Sequence, residues 1–281
     1  MAITQTIKER LPQEWVDHAK RIKHKYLNKH TGVNLYRRLE ALLKENPEIN
    51  TLFPFEEFMN HYVYEPARQS KDNPDVFINQ IRYYRMYVYF KTQYPEIFSP
   101  VTSVVDIGDT SGTFFRAMKR KGLSVNINTE VIEFIKKKGI YAQLGNIEVL
   151  PFADKSFDYC FCFQCLEHLP NPIKALNELS RITRKMVFVS IPYVKETKIY
   201  SRTFWQELKK KPVAEGGWNE QDVKDVDGHK FEFSTADFKK IITHAQLEFL
   251  DQYPINYFSP LGTTKKNGGS YFNFFILKPV G

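Results

Sequence analysis

The hydrophobic rhythm of the chain changes near residue 100. Before it, apolar residues recur at helical spacing, and Glu14–Lys29, Asn34–Lys44, Phe53–Tyr64 and Val76–Tyr94 read as helices. Asn34–Lys44 is amphipathic, with Leu35, Leu39, Leu42 and Leu43 on one side. Val76–Tyr94 is crowded with Tyr and Phe, which suits a packing face or a lid over a pocket. From 101 onward, short apolar runs alternate with helical stretches. The runs Val101–Asp106, Leu123–Ile127, Ile140–Leu144, Phe157–Phe163, Lys185–Pro192, Leu247–Gln252 and Tyr271–Lys278 read as strands. Thr113–Lys121, Thr129–Lys138, Pro172–Thr183 and Ser234–His244 read as helices between them. This alternation predicts an α/β fold, a doubly wound, seven-stranded, mainly parallel sheet. Asn267-Gly268-Gly269, just before the last run, is compatible with a closing antiparallel hairpin. The expected organisation is a helical extension over 1–100, a lid or partner-binding region, followed by an α/β domain over 101–281.

The pivotal stretch is Ser103–Met118, SVVDIGDTSGTFFRAM. Val104, Val105 and Ile107 suit a strand buried on both faces, and Gly108 and Gly112 punctuate the turn into a helix. Gly108 lets a backbone approach a ligand whose space a side chain would fill. Asp106 places a carboxylate at the carboxyl edge of the sheet, where open α/β sheets bind ligands. A dinucleotide pyrophosphate wants a run of bare amides at the helix start. Here Asp109 stands in that turn, so the charge favours a cationic ligand with an ammonium and a sulfonium, such as S-adenosylmethionine, over NAD.

Composition adjusts this picture in three ways. The net charge of +8 and a pI near 9.1 would favour polyanions. The basic residues are spread over many helices, so nucleic acid is not the favoured partner. No apolar run is long enough for a membrane span, and MAITQTIKERL lacks a signal-peptide core, so a cytoplasmic location is expected. Cys160, Cys162 and Cys165 fall within six residues. With His168 they permit a metal reading, but in a buried strand they fit better as small hydrophobes.

Over residues 101–280 the chain resembles class I S-adenosylmethionine-dependent methyltransferases of the type 11 kind. Several motifs in order carry the resemblance. Asp106-Ile107-Gly108 with Gly112 comes first, then Val125-Asn126-Ile127-Asn128-Thr129-Glu130. Gly145-Asn146-Ile147-Glu148 follows, with Leu150-Pro151-Phe152 and Ser156-Phe157-Asp158. Leu166-Glu167-His168-Leu169 is next, with Asn171-Pro172 and a helix ending in Ser180-Arg181. The resemblance implies a Rossmann-like methyltransferase fold and S-adenosylmethionine as cofactor. Asp106, Gly108, Gly112, Asn126, Asn146, Ile147 and Gln164 would bind it. Two positions depart from the family. Asn126 stands where an acid usually accepts the ribose hydroxyls, and Asn146 where an Asp usually reads the adenine amino group. An amide oxygen can accept either hydrogen bond without the charge.

Methyl transfer needs the acceptor aligned and, for a hydroxyl, a base. Glu167 and His168 follow the fourth predicted strand at the rim where an acceptor belongs, and His168 is the first candidate base. His229, just before the helix capped by Ser234, is the second. Tyr193, Tyr200, Trp205 and Trp218 are candidate walls from the Tyr193–Gly228 insertion. Gln164-x-x-Glu167-His168 with a distant His229 also resembles the metal site of small-RNA 2′-O-methyltransferases. Gln164 offers a neutral amide where a carboxylate is wanted, so no metal is expected. The expected activity is methyl transfer to an oxygen or nitrogen of a small-molecule or glycan-like acceptor. The alternatives are a catalytically retired fold serving as a binding module and a metal-assisted RNA 2′-O-methyltransferase.

Overall fold

In the computed structural model, residues 42, 45–54, 74–199, 229–255 and 272–281 are described. The strands in chain order are β1 (Val104–Ile107), β2 (Leu123–Asn126), β3 (Tyr141–Leu144), β4 (Phe157–Phe163) and β5 (Thr183–Pro192), then the two-residue β6 (Lys198–Ile199) and β7 (Phe231–Glu232), β8 (Leu247–Ile255) and β9 (Phe272–Pro279). The helices are α1 (Glu48–Leu52), α2 (Pro74–Gln93), α3 (Thr113–Ala117), α4 (Thr129–Lys137), α5 (Pro172–Ile182) and α6 (Thr235–His244). Seven strands form one sheet in the order β3-β2-β1-β4-β5-β9-β8. β1 to β5 run parallel, and β9 lies antiparallel between β5 and β8. The strand order reverses between β1 and β4, so a ligand crevice belongs at their carboxyl ends. The doubly wound sheet expected from the sequence is present. The Asn267-Gly268-Gly269 turn and the helices expected over 14–29 and 34–44, apart from Leu42, lie outside the described residues.

Each face of the sheet has its own core, because alternate side chains of a strand point to opposite sides. On one face Val105, Ile107, Cys160, Cys162, Val187 and Val189 meet Leu176 and Leu179 of α5 and Phe238 and Ile242 of α6. Cys160 and Cys162 are fully buried there as apolar side chains. On the other face Phe161, Phe163, Phe188 and Phe274 meet α2 and α3. Phe90 of α2 stacks on Phe161 at 5.0 Å and lies edge-on to Phe188 at 4.7 Å. The aromatic helix is therefore one layer of the α/β core.

Several ends move for local reasons. β1 begins at Val104 rather than Val101, since Val101 is exposed and the Thr102 hydroxyl donates to Glu96 O at 2.7 Å in a turn. α3 ends at Ala117, not Lys121. Lys119 takes a left-handed φ of 50°, and the Arg120 guanidinium donates to the Ile97 and Thr102 carbonyls. Phe53 ends α1, and the helix expected over 53–64 lies outside the described residues from 55 onward.

Candidate active site

The turn after β1 is held by Asp109. Its carboxylate accepts hydrogen bonds from Ser111 N (2.9 Å), Gly112 N (2.9 and 3.0 Å) and the Ser124 hydroxyl (2.5 Å). It is buried, with its donors supplied from within the turn and β2. The acid that suggested a cationic ligand thus points inward. Asp106 takes that place: it is 2% exposed, and its Oδ2 has no hydrogen-bond partner. Burial raises its pKa well above the usual carboxylate range, and Asp109 and Cys165 add to the rise while Arg82 opposes it. An unpartnered buried oxygen at the switch point fits a ligand ammonium group.

Gly108 has a φ of +84°, and a Cβ added there would lie 2.7 Å from Cys165 Sγ and 2.9 Å from its Cβ. The glycine is thus needed for the close approach of the turn after β4, as well as for its left-handed backbone. This clash within the protein stands beside the ligand clash expected from the sequence. Gly112 (φ +66°) opens α3, and a Cβ there would strike Ile140 Cδ1 at 2.5 Å.

Both asparagines have local partners. Asn126 Nδ2 donates to Asp109 O at 2.9 Å, and its Oδ1 accepts from Asn128 N at 2.9 Å. Its amide clamps the β1 turn to the start of α4, a task a carboxylate could not share because it has no N–H. Asn146 Oδ1 accepts from Glu148 N at 2.9 Å, and Ile147 is buried in the core beside it. Each amide oxygen keeps a second lone pair for a ligand hydroxyl or amino group. The residues present therefore fit an adenosyl ligand with weaker, uncharged acceptors.

Beyond β4 the chain turns sharply. Gln164 has a φ of 52°, its N donates to Ser190 O at 2.9 Å, and its Nε2 donates to the Ser190 hydroxyl at 3.3 Å. A 3-10 turn at Leu166–His168 follows. Glu167 is 1% exposed, and neither carboxylate oxygen has a hydrogen-bond partner. Burial raises its pKa to about 8, against the opposing charge of Arg82. Lys230 N donates to Glu167 O at 2.8 Å, which draws the segment before α6 against this turn. His168 and His229 rings consequently meet edge-on, 5.1 Å between centroids. One ligand atom each from Glu167, His168 and His229 lie within 4.8 Å of one another, a spacing open to a metal ion.

Glu232 escaped the sequence reading. Its Oε1 lies 2.7 Å from His229 Nδ1, and its Oε2 lies 3.7 Å from Lys198 Nζ. A carboxylate at Nδ1 orients the ring and leaves Nε2 as the basic nitrogen. The three-residue spacing of His229 and Glu232 was the available signal. Tyr200, Trp205 and Trp218 lie outside the described residues, and Tyr193 is half-buried after β5.

The sequence model of the family described as "Methyltransferase domain" matches residues 105–191, from β1 to the end of β5. Over those residues the chain carries a methyltransferase domain. An uncharacterized methyltransferase of Mycobacterium sp. (strain KMS) is 36% identical over 89 residues, 29% of this chain and 34% of that protein. A tRNA U34 carboxymethyltransferase of Nautilia profundicola is 31% identical over 115 residues, 37% of this chain and 38% of that protein. The matches thus span little more than a third of these curated relatives. A solved structure from Thermotoga maritima, described as a SAM-dependent methyltransferase and possible histamine N-methyltransferase, shares the fold. It has a TM-score of 0.52 and 18% identity, covering 81% of this chain and all of that one. The methyltransferase domain includes Asp106, Gly108, Gly112, Asn126, Asn146, Gln164, Glu167 and His168, while His229 and Glu232 lie beyond the matched residues. No helix among the described residues is long and apolar enough to cross a membrane.

Proposed function

We propose that the protein transfers a methyl group from S-adenosylmethionine to an oxygen or nitrogen of a small acceptor. The observation that carries this reading is the unpartnered, buried Asp106 oxygen at the switch point of a methyltransferase domain. The cofactor would supply a methyl carbon already activated by a positively charged sulfur. Asp106 would hold the ammonium group, with the amide oxygens of Asn126 and Asn146 accepting from the ribose and adenine. Across the crevice, His229 held by Glu232 is the better base for an acceptor hydroxyl, and His168 beside it positions or shares the proton. Glu167, neutral while its pKa is about 8, would donate a hydrogen bond to the acceptor.

Calorimetry with S-adenosylmethionine and S-adenosylhomocysteine tests the cofactor. Micromolar binding of both supports it, and no binding of either at millimolar concentration removes the enzyme reading. The same result would favour a retired fold serving as a binding module.

A second reading is favoured by the juxtaposition of Glu167, His168 and His229. A divalent cation there would assist transfer to a ribose hydroxyl of RNA. It would require Glu167 to ionise and His229 to present Nε2. Activity abolished by a chelator and restored by magnesium or manganese, on an RNA acceptor with steep salt dependence, would select this reading.

A further inference from the structure

One buried cation has no place in the reaction so far. Arg82 of α2 is 2% exposed, and its Nε reaches no hydrogen-bond acceptor. It has no ion-pair partner among the described residues. Its guanidinium carbon lies 5.0 Å from the centroid of the Tyr83 ring and 5.1 Å from that of Phe272. The Tyr83 hydroxyl is its polar neighbour.

The packing of α2 places this group at the functional edge of the sheet. Tyr94, just past the helix, lies 5.0 Å from Phe188, while Tyr83 lies 6.4 Å from Phe163, the last residue of β4. The helix therefore climbs toward the carboxyl edge as residue numbers fall. Phe272 pairs with Pro192, the last residue of β5. The positive charge of Arg82 acts on both Asp106 and Glu167. Neither carboxyl pairs with it directly: Asp106 Oδ2 and both Glu167 oxygens have no hydrogen-bond partner.

A guanidinium stays charged at any accessible pH, and burying it with an idle N–H costs free energy that a bound anion would recover. Its planar fork matches a carboxylate. Aromatic rings at 5.0 and 5.1 Å fix its plane and add attraction without using its donors. We propose that Arg82 is the carboxylate-binding residue of this site, so that a helix from outside the matched domain completes the crevice. This rests on the proposed methyl transfer. The carboxylate belongs either to the methionyl end of the cofactor or to the acceptor.

Wild type, Arg82→Gln and Arg82→Lys are compared in the full chain by calorimetry. The ligands are S-adenosylhomocysteine and its decarboxylated analogue. A second arm measures thermal stabilisation by succinate and by benzoate, with and without S-adenosylhomocysteine. If the cofactor is the source, wild type should prefer S-adenosylhomocysteine over the analogue by about tenfold to a hundredfold. Arg82→Gln should erase that preference while binding the analogue as wild type does. If the acceptor is the source, both nucleosides bind alike in wild type, and only the carboxylates lose their effect in Arg82→Gln. Arg82→Lys should retain part of either effect.

A wild type with neither preference nor carboxylate stabilisation overturns the proposal, even where Arg82→Gln does not fold. So does an Arg82→Gln protein that keeps them. Failure of the methyltransferase reading looks different: wild type then binds neither nucleoside, and the succinate and benzoate arm on the free protein still decides Arg82.

Discussion

The turns leaving β1 and β4 meet at one edge of the sheet and treat their carboxyls in opposite ways. After β1, Asp109 is buried with backbone and hydroxyl donors on both oxygens. After β4, Glu167 is buried with none on either oxygen. Asp106, three residues before Asp109, keeps one oxygen unpartnered. A buried carboxylate with its donors in place stabilises the fold whether or not a ligand arrives. One without them destabilises it until a ligand supplies them. Asp109 thus belongs to the scaffold, and Asp106 and Glu167 are the carboxyls that the proposed reaction assigns to ligands. In a sequence all are acids near glycines or turns, and only the donors around them separate their roles.

The largest effect should come from Asp109. Asp109→Ala removes four charge-assisted hydrogen-bond contacts and leaves two backbone N–H groups to find new acceptors. A loss of about 4 kcal/mol is expected in urea denaturation. Asp106→Asn should change stability by less than about 1 kcal/mol, since that oxygen has no partner to lose, yet weaken S-adenosylhomocysteine binding by about a hundredfold or more. An Asp109→Ala protein as stable as wild type would break the comparison. Gly108→Val is a poor probe of the pocket, because the added side chain would strike Cys165 before any ligand.

Next in size is Glu167. Its folded pKa of about 8 lies above the ordinary value of 4.5. Between these values the folded protein holds a proton that the unfolded chain has released, so stability falls as pH rises through the window. Glu167→Gln removes that dependence. The variant should match wild type near pH 4.5 and exceed it by about 3 kcal/mol at pH 7, read from melting curves at both pH values. A gain that is equal at both would mean that Glu167 is not held neutral.

Much of the sheet is legible in the sequence because its signal is local. β4 is Phe157–Phe163 in both readings, an unbroken apolar run with turn residues on either side. Helix caps were equally local: Ser234 accepts from Asp237 N at 3.2 Å as its position suggested. What failed to show depends on neighbours far along the chain. The clamp made by Asn126 needs Asp109 O, 17 residues away, and a Cβ at Gly108 would meet Cys165. The aromatic crowd in α2 announced a packing face without saying which surface it covers. That surface proved to be the sheet itself, and this is what brings Arg82 to the crevice.

A kinetic effect comes third. Glu232→Gln keeps an acceptor oxygen for His229 Nδ1 but removes the carboxylate charge beside the ring. Turnover on a hydroxyl acceptor should fall by about tenfold to a hundredfold, roughly 1.4 to 2.7 kcal/mol of barrier, with cofactor affinity unchanged. His168→Ala should cost less, and His229→Ala at least as much as Glu232→Gln. If His168→Ala costs more than His229→Ala, the roles of the two rings are reversed. An acceptor nitrogen that is already nucleophilic would leave both variants near the wild-type rate.

The smallest effect lies at the opposite edge of the sheet, where the comparison has its control. Asp158, the second residue of β4, is partly buried and has its donors. Burial alone would raise its pKa, but hydrogen bonds from Arg184 Nε (3.1 Å), Ser103 N (3.0 Å) and the Ser103 hydroxyl (3.0 Å) outweigh it and hold it at about 2. Unfolding returns it to about 3.8, so its contribution is complete above that pH and is lost as pH falls toward about 2. The shift corresponds to about 2 kcal/mol near neutral pH. Asp158→Asn should therefore lower stability by about 2 kcal/mol at pH 7 and converge with wild type near pH 2, leaving S-adenosylhomocysteine affinity untouched. A change in nucleoside affinity would show that the two edges are coupled through β4, and that a filled donor set does not by itself mark a residue as scaffold.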